Sequence, residues 1–383
     1  MHRRVYSRAQ AESEFVHALT RQIGYTAGAY SVQRMAGIVA HFEDANAYQF
    51  ELLKKLTSLG ASAEPLTDKY ATDVLNFAGE LGIIAKLPGA SAPHLSRYVL
   101  TDAGVAIRAA RAIQPELERL VLEHLILEND ADAYLRVLSL VGEIAPRSGD
   151  DLSAKFRDLI SDMRLTRLAW LREAFPSKAV LTRLVRGGPS QVHWLKPNRL
   201  GVIELDNLSA DFGRHHFTPR KTWAAELNHV DATGKGLSAT GREFVSRAGW
   251  REESPGAHWI GPATECMASL RVSADGHLFG AAGPTIDLLR PESPLREPDQ
   301  QLVEQTAEFL RMAFPHIRLV HARQALTSPV TYFLLHHERR FGERFDQQLL
   351  LQMVAKQHSK EFAFFSSRSG TLAYYQLRKS TNG

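Results

Sequence analysis

The segment Pro65–Arg111 constrains the fold of this chain more than any other part of its sequence. Thr67 or Asp68 can cap a helix, and the apolar residues that follow recur at the spacing of one helical face. Gly82 stands where the glycine of a helix C-cap is expected, and the short apolar run 83–85 follows it. The first half of the segment therefore predicts a capped helix, a tight turn and a strand.

The second half of the segment predicts another strand and another helix. Residues 88–96 form a loop rich in Pro, Gly and Ser, and the apolar run 98–100 can return as a strand. Thr101 or Asp102 can then cap the next helix. The whole segment reads as helix, tight turn, strand, loop, strand and helix.

This order of elements resembles a winged helix, and LGII (81–84) with YVLTDAG (98–104) is similar to the end of that fold. The resemblance implies a module that usually binds DNA and otherwise serves dimerisation or protein docking. Lys can hold phosphates or guanine, and Asn can pair with adenine in the major groove. Asp73 and Glu80 share the helix face and repel phosphate, so protein docking stays the alternative. The candidate DNA-binding residues here are Lys69, Thr72 and Asn76 on the helix 68–81 and Arg97 in the wing.

The C-terminal region predicts the best-formed wing of the chain. Asp346 can cap a helix over 345–358, and two alternating strands, 361–365 and 371–377, flank a Ser-Arg-Ser-Gly tip. Glutamines can read adenine, arginines and lysines can hold phosphates, and an arginine at the tip can enter a minor groove. The alternative is a charged, solvated helix and hairpin. The candidates are Gln347, Gln348 and Gln352 for bases, Arg339, Arg340, Arg344, Lys356 and Lys360 for phosphates, and Arg368 at the tip.

The middle of the chain contains a partial sequence repeat of the first module. Residues 237–241, with the apolar helix pattern after them, match residues 100–104: each has a strand end, a Ser or Thr cap and a glycine in the first turn. A divergent second winged helix is therefore predicted to end near Gly249, with 201–205 as one strand. The loop predicted at 211–221 carries several basic residues that could touch a phosphate backbone.

We expect a mainly α protein with small β-hairpins, in which tandem winged helix-turn-helix modules are joined by helical stretches. Residues 5–59 predict helices throughout, and 251–298 is rich in Gly and Pro. The predicted division is 1–115 for the N-terminal helices and first module, 116–250 for a helical stretch and second module, 251–298 for a connector with short strands, and 299–383 for the basic C-terminal module.

Charge favours a nucleic-acid face at the C-terminus. Residues 316–383 carry 10 Lys/Arg against 4 Asp/Glu, an excess of 6, whereas the whole chain has a net charge of only +4. The single cysteine, Cys266, excludes an internal disulfide and is typical of a reducing compartment. We expect a cytoplasmic protein with no membrane partner, because no apolar run is long enough to span a bilayer.

No familiar catalytic or cofactor motif occurs in the sequence. It contains no phosphate-loop motif, no Gly-x-Ser-x-Gly elbow and no Cys-x2-Cys pair, so no cofactor or metal is expected. The run DKYATDVLNFAGELGIIAK resembles the DNA-recognition winged helices of type IIS restriction endonucleases. The usual restriction nuclease core needs a Glu-x-Lys element to hold Mg²⁺, and this chain has none. A departed core could use His193, Glu204, Asp206 and Asp211.

The sequence favours a non-enzymatic protein whose partner is double-stranded DNA. The resemblance places it in a bacterial DNA-handling or anti-phage defence assembly. Two alternatives remain: a winged-helix scaffold that docks other protein subunits, and the DNA-recognition subunit of a restriction-type nuclease with a divergent active site.

Overall fold

A computed structural model describes residues 4–7, 16, 22–24, 31–42, 46–57, 67–87, 95–142, 149–187, 194–205, 208–209, 211–247, 277–280, 286, 289–319, 323–367 and 370–378. The fold is mainly helical with small, mostly antiparallel sheets, which confirms the predicted α+β class. The helices are α1 Val32–Ala36, followed by a 3₁₀ turn Gly37–His41, α2 Gln49–Thr57, α3 Asp68–Glu80, α4 Asp102–Ile113, α5 Pro115–Asn129, α6 Ala131–Gly142, α7 Gly149–Ala174, α8 Lys178–Gly187, α9 Phe212–Glu226, α10 Ala239–Arg247, α11 Gln300–Ile317, α12 Pro329–Phe341 and α13 Gln347–Gln357. The strands are β1 Arg4–Ser7, β2 Asn46–Tyr48, β3 Ile84–Lys86, β4 Arg97–Leu100, β5 Leu195–Pro197, β6 Ile203–Leu205, β7 His277–Gly280, β8 Leu295–Arg296, β9 Arg318–Leu319, β10 Gln324–Leu326, β11 Arg344–Phe345, β12 Phe362–Ser366 and β13 Leu372–Leu377.

The prediction of helices throughout 5–59 was wrong, because β1 and β2 are strands that pair antiparallel with β7 and β4. In unit 1, α7 runs unbroken over Gly149–Ala174. Its sequence has no Gly or Pro between Asp150 and Ala174 that would end it.

The chain divides into two compact units. Unit 1 contains residues 1–31 and 126–288, and unit 2 contains residues 32–125 and 289–383. This division differs from the four consecutive segments expected from the sequence, since each unit is assembled from two stretches that are distant along the chain. The boundary at 125/126 falls within α5.

Unit 1 has a helical core that contains buried charges. Arg220 of α9 makes two hydrogen bonds to the Asp130 carboxylate, at 2.6 and 2.7 Å, and neither side chain is exposed to solvent. Ile23 joins this pair through its backbone: its N–H donates to Asp130 at 2.9 Å, and its carbonyl accepts from Arg220 at 2.9 Å. A second buried pair joins Arg167 to Asp132 at 2.6 Å. Buried charges are tolerated when they are paired and hydrogen-bonded in this way.

Close helix packing in unit 1 depends on a glycine. A Cβ at Gly213 of α9 would lie 2.1 Å from the carbonyl oxygen of Ser153 in α7, so only glycine allows these helices to approach. Phe212, beside it, stacks with Phe156 of α7 at a centroid distance of 6.4 Å. The β5–β6 hairpin packs on a separate apolar cluster that includes Leu171, Trp194 and Ile203.

The first part of unit 2 is a helix-rich segment closed by a three-stranded sheet. Its elements run α1, β2, α2, α3, β3 and β4, and the strand order in the sheet is β2-β4-β3. The predicted helix over 68–81 is confirmed, with the Thr67 hydroxyl accepting from the Tyr70 N–H. Gly82 has a φ of 84°, the left-handed conformation expected for a residue that follows a helix C-cap.

The C-terminal part of unit 2 repeats this order of elements. It runs α11, β9, β10, α12, β11, α13, β12 and β13, and the sheet has the order β12-β13-β10-β9. Strand β10 corresponds to β2, because each pairs with the last strand of its segment, and that last strand pairs with the one before it. Strands β9 and β11 have no counterpart among the described residues of the first segment. The predicted hairpin at 361–377 is confirmed, with Phe364 opposite Tyr375.

Helix α4 is the element against which the C-terminal part of unit 2 packs. Helices α11 and α12 both contact it, and its buried face is made largely of small side chains such as Ala106, Ala109 and Ala110. The end of the predicted connector is also part of this unit. Arg290 lies 3.1 Å from the buried Glu338 carboxylate, and β8 pairs in parallel with β11.

Candidate nucleic-acid interface

Helix α13 begins at a well-formed cap, and its first two glutamines are held inside the fold. Asp346 accepts hydrogen bonds from the backbone N–H groups of Gln348 and Leu349 at 2.8 and 3.0 Å. The Gln348 side-chain oxygen accepts from the Leu372 N–H at 2.9 Å, and that of Gln347 accepts from the Thr331 hydroxyl at 2.8 Å. These contacts hold both side-chain oxygens against neighbouring elements, so the two glutamines help to position the helix, and their role in reading bases stays a prediction.

The rest of the outward face of α13 is open to solvent. Gln352 and Lys356 are exposed on the helix, and Lys360 is exposed in the turn that follows it. Leu350, Leu351 and Val354 are buried on the opposite face, so the helix has one apolar side and one polar, basic side. The predicted tip residue Arg368 lies outside the described residues.

The three arginines predicted to hold phosphates have different environments. Arg339 donates to the buried Glu123 carboxylate at 2.8 Å, so its charge is matched inside unit 2. Arg344 is partly buried in β11. Arg340 is exposed at the end of α12, and its guanidinium lies 5.4 Å from the centroid of the Phe341 ring. Arg339 therefore has an ion-pair partner within unit 2, and its role in holding phosphate stays a prediction.

The candidates in the first segment lie on α3 and β4. Lys69 is exposed, whereas Thr72 and Asn76 are partly buried on the same helix. Arg97 is exposed in β4, where it donates to the Asn46 side chain at 2.8 Å and lies over the Tyr48 ring at 5.5 Å from the centroid.

The sequence repeat in the middle of the chain is also a structural repeat. Thr101 accepts from the Gly104 N–H at 3.0 Å, and Ser238 accepts from the Gly241 N–H at 2.9 Å. Both hydroxyls donate back to the carbonyl of a residue with positive φ, Gly82 for Thr101 and Asn228 for Ser238. The sequence signal covered only the helix starts, but the structure extends the likeness to the turn that ends the preceding helix.

Those preceding helices end with the same hydrogen bonds. The Ile83 N–H donates to Ala78 at 2.9 Å after α3, and the His229 N–H donates to Ala224 at 2.7 Å after α9. Between the two helices of the second copy lies only a tight loop closed by a bridge between Val230 and Leu237. The second copy therefore has the helix, turn and next helix of the first, with a shorter connection in place of the β3–β4 hairpin.

The basic loop predicted at 211–221 is instead the body of α9. Arg220 and Phe217 are buried there, and Arg220 is committed to Asp130. Burial, together with the charges of Arg220 and Arg164, lowers the pKa of His216 to about 2. Arg214 and His215 are exposed near the start of the helix, and Arg214 forms an ion pair with Asp211 at 3.4 Å.

Only two of the four residues of the nuclease alternative, Glu204 and Asp211, fall within the described part of the chain. Glu204 accepts from the Asn198 side-chain amide at 2.6 Å in the β5–β6 hairpin, and Asp211 precedes α9. His193 and Asp206 lie outside the described residues, as does Cys266. Across the ranges that the structure describes, no group of three or more His, Cys, Asp or Glu residues could hold a metal ion.

A buried histidine makes the stability of unit 2 depend on pH. The ring of His124 contacts the Tyr332 hydroxyl at 2.8 Å, and burial lowers the pKa of His124 to about 4. The unfolded chain takes up this proton near pH 6.5 while the folded chain does not, so stability is full above that pH and falls as pH drops towards 4.

We expect His124→Gln, which can keep a contact to Tyr332, to reduce the loss of unfolding free energy between pH 6.5 and 4 by about 2–3 kcal/mol. Urea unfolding followed by circular dichroism at several pH values measures this. His316→Gln at an exposed position is the matched control and should leave the pH dependence of the unfolding free energy unchanged. The same pH dependence in the wild type and in His124→Gln would contradict the assignment.

Among the described residues, no helix combines the length and the apolar character that a membrane crossing requires. Comparisons with protein-family models, with curated proteins and with solved structures found no match to this chain.

Proposed function

We propose that the chain is a non-enzymatic protein that binds duplex DNA through winged-helix modules, with α13 and the β12–β13 hairpin as its main contact. One observation carries the proposal. In the C-terminal part of unit 2, the order α11, β10, α12, α13, β12 and β13, with β10 paired to β13, resembles that of a winged helix, in which α13 would take the position of the recognition helix.

The chemistry of the exposed face supports DNA as the partner. Gln352 can hydrogen-bond a base edge, and Lys356 and Lys360 can hold phosphates on either side of a groove. Gln347 and Gln348 fix the helix against α12 and β13, which gives the contact residues a rigid support. In this proposal Arg340 adds a peripheral phosphate contact.

The segment 32–113 supports a second module of the same kind. Its strand order β2-β4-β3 matches the C-terminal sheet, and α3 stands where α13 does. Its helix face carries Asp73 and Glu80 beside Lys69. Because those carboxylates repel phosphate, this module is the one for which protein docking is the second candidate function.

The structural repeat formed by α9, the loop after it and α10 in unit 1 supports a third, reduced module. Here α9 would take the recognition position, and the short loop between Val230 and Leu237 would replace the wing. Weak contacts from several modules on one chain reinforce one another through effective concentration. The wider setting, a bacterial DNA-handling or anti-phage defence assembly, stays a prediction from the resemblance.

Reversing the charge of Lys356 on α13 and of Lys360 in the turn after it tests the proposal. We expect Lys356→Glu with Lys360→Glu to weaken binding to a mixed-sequence duplex by tenfold or more, and to lower the slope of log K against log salt by about 2. Fluorescence anisotropy with a labelled duplex across a salt series measures both quantities.

The matched control is Lys178→Glu with Arg186→Glu on α8 of unit 1, which makes the same change in net charge at two exposed helix positions. This control should bind as the wild type does. Equal losses in the two variants would show only a general charge effect, and the proposal would then fail. No binding by the wild type at low salt would also reject it, and would favour the docking scaffold.

A further inference from the structure

The outer face of the first sheet carries aromatic side chains in solvent. Tyr48 of β2 lies opposite Arg97 of β4, and residues alternate between the two faces of these strands. The inner face is closed, because Ala47, Tyr98 and Leu100 are buried. On the outer face Tyr48 is 39% exposed, so this ring is not part of the core of unit 2.

The start of α2 adds a second ring and a cation to this face. Phe50 is 48% exposed and stacks on Tyr48, with ring centroids 5.7 Å apart and an interplanar angle of 28°. Lys54 follows Phe50 by four residues, so it lies on the same side of the helix, and it is also exposed. We call Tyr48, Phe50, Lys54 and Arg97 the aromatic surface.

Local hydrogen bonds hold the aromatic surface in place. Glu51 accepts from the Tyr48 backbone N–H at 3.0 Å, as in a capping box, so the start of α2 is set relative to β2. Ser96 accepts from the Gln49 N–H at 2.8 Å, which joins the helix start to β4. Arg97 is oriented over Tyr48 by its hydrogen bond to Asn46. The rings and cations are therefore pre-positioned before any ligand arrives.

We propose that the aromatic surface binds single-stranded nucleic acid by stacking its bases on Tyr48 and Phe50 and by pairing its phosphates with Lys54 and Arg97. Every base has a π-face, so stacked aromatic rings with adjacent cations bind single strands of mixed sequence. The charge favours this partner, because Lys54 is exposed and Arg97 lies over the Tyr48 ring, whereas the Glu51 carboxylate accepts from the Tyr48 N–H. This activity is separate from duplex binding by α13.

The experiment uses the full chain and a labelled single strand of mixed sequence, about 20 nucleotides long. We expect Tyr48→Ala with Phe50→Ala to weaken its binding about fivefold or more, in line with the loss of one or two base stacks. Tyr48→Phe with Phe50→Tyr keeps both rings and should bind like the wild type. Unchanged binding by the alanine variant would overturn the proposal.

A leucine variant separates base stacking from a purely apolar contact. Tyr48→Leu with Phe50→Leu keeps most of the apolar area but removes the π-faces, so it should lose as much single-strand affinity as the alanine variant. If the leucine variant retains full affinity, the surface binds through apolar area and the proposal is wrong. Self-association that the alanine variant abolishes, without any change in single-strand binding, would assign the surface to a second copy of the chain and likewise overturn it.

The same variants distinguish this inference from the duplex proposal. Lys356→Glu with Lys360→Glu should lose duplex affinity and keep single-strand affinity, and the alanine variant of the aromatic surface should do the opposite. Parallel loss of both affinities in either variant would show one shared site and reject the aromatic surface as a separate one.

Discussion

Replacing Arg220 with methionine is expected to lower the free energy of unfolding of unit 1 by about 3–5 kcal/mol. Arg220 and Asp130 are both fully buried and share two short hydrogen bonds. Without the guanidinium, the Asp130 carboxylate keeps the Ile23 N–H but loses the Arg220 charge at a fully buried position. The Ile23 carbonyl also loses its donor, which removes one of the two hydrogen bonds that join Ile23 to this buried pair.

Tryptophan fluorescence during urea unfolding measures this effect in unit 1 alone. All five tryptophans, at positions 170, 194, 223, 250 and 259, fall within the residues assigned to unit 1. Arg214→Met is the matched control: it breaks an ion pair with Asp211 in which both side chains are 67% exposed, and should cost about 1 kcal/mol or less. A double variant, Arg220→Met with Asp130→Leu, should be more stable than Arg220→Met, since it removes the unpaired charge. Similar midpoints for Arg220→Met and Arg214→Met would contradict the buried-pair argument.

Replacing Gly104 with alanine is expected to destabilise unit 2 by about 2 kcal/mol or more. A Cβ at this position would lie 2.2 Å from the carbonyl oxygen of Ile83, and that carbonyl accepts from the Thr101 N–H at 3.1 Å. The clash is with backbone at the junction of α4, β3 and β4. It cannot be relieved by rotating a side chain, so the helix start or the strand must move.

Hydrogen exchange of peptides from α3 and α4, read by mass spectrometry, localises this loss within unit 2. Gly79→Ala on α3 is the matched control, because a Cβ there meets nothing within 4 Å. It should raise stability by about 0.5 kcal/mol, since alanine favours a helix over glycine. If Gly104→Ala exchanges no faster than Gly79→Ala, the close approach at Ile83 does not constrain the fold.

Local structure was predictable wherever the determining residues are neighbours in sequence. Thr67 and Gly82 bracket α3, Asp346 starts α13, and the alternating strands around 367–370 form the predicted hairpin. Each of these depends on a cap or an alternation that operates within a few residues. The fold class followed from the same local signals.

The contact residues were predicted less well, because exposure depends on distant partners. Gln352 and Lys356 on α13 and Lys360 in the turn after it are exposed, as their four-residue spacing predicts. Arg339 was taken for a phosphate ligand, but its carboxylate partner, Glu123, lies 216 residues away in sequence. Gln348 was taken for a base reader, but it accepts from the backbone of β13. Nothing in the local sequence reveals either bond.

The repeat formed by 100–104 and 237–241 shows how much of a structural likeness can be detected from sequence. The caps and first-turn glycines match in sequence because the N–H of that glycine must reach the hydroxyl and its Cα must pass a carbonyl. The preceding turns have the same conformation but do not match in sequence, because Asn228 takes the positive φ that Gly82 has in the first copy. The loops between also differ in length, so the full likeness appears only in three dimensions.

By itself, the sequence determined the ends of elements such as α3, α13 and the β12–β13 hairpin, because capping, helical spacing and strand alternation are decided by near neighbours. Only the tertiary structure decided that residues 32–125 join 289–383 in one unit while the stretch between them belongs to the other. It also decided which charges are buried with partners and which remain in solvent. Burial of small side chains on α4 and pairing of charges such as Arg220 with Asp130 join residues that are far apart in the chain. Apolar burial is favourable because it removes surface from water, and buried charges are tolerated because each has a partner; both depend on residues that local sequence patterns do not bring together.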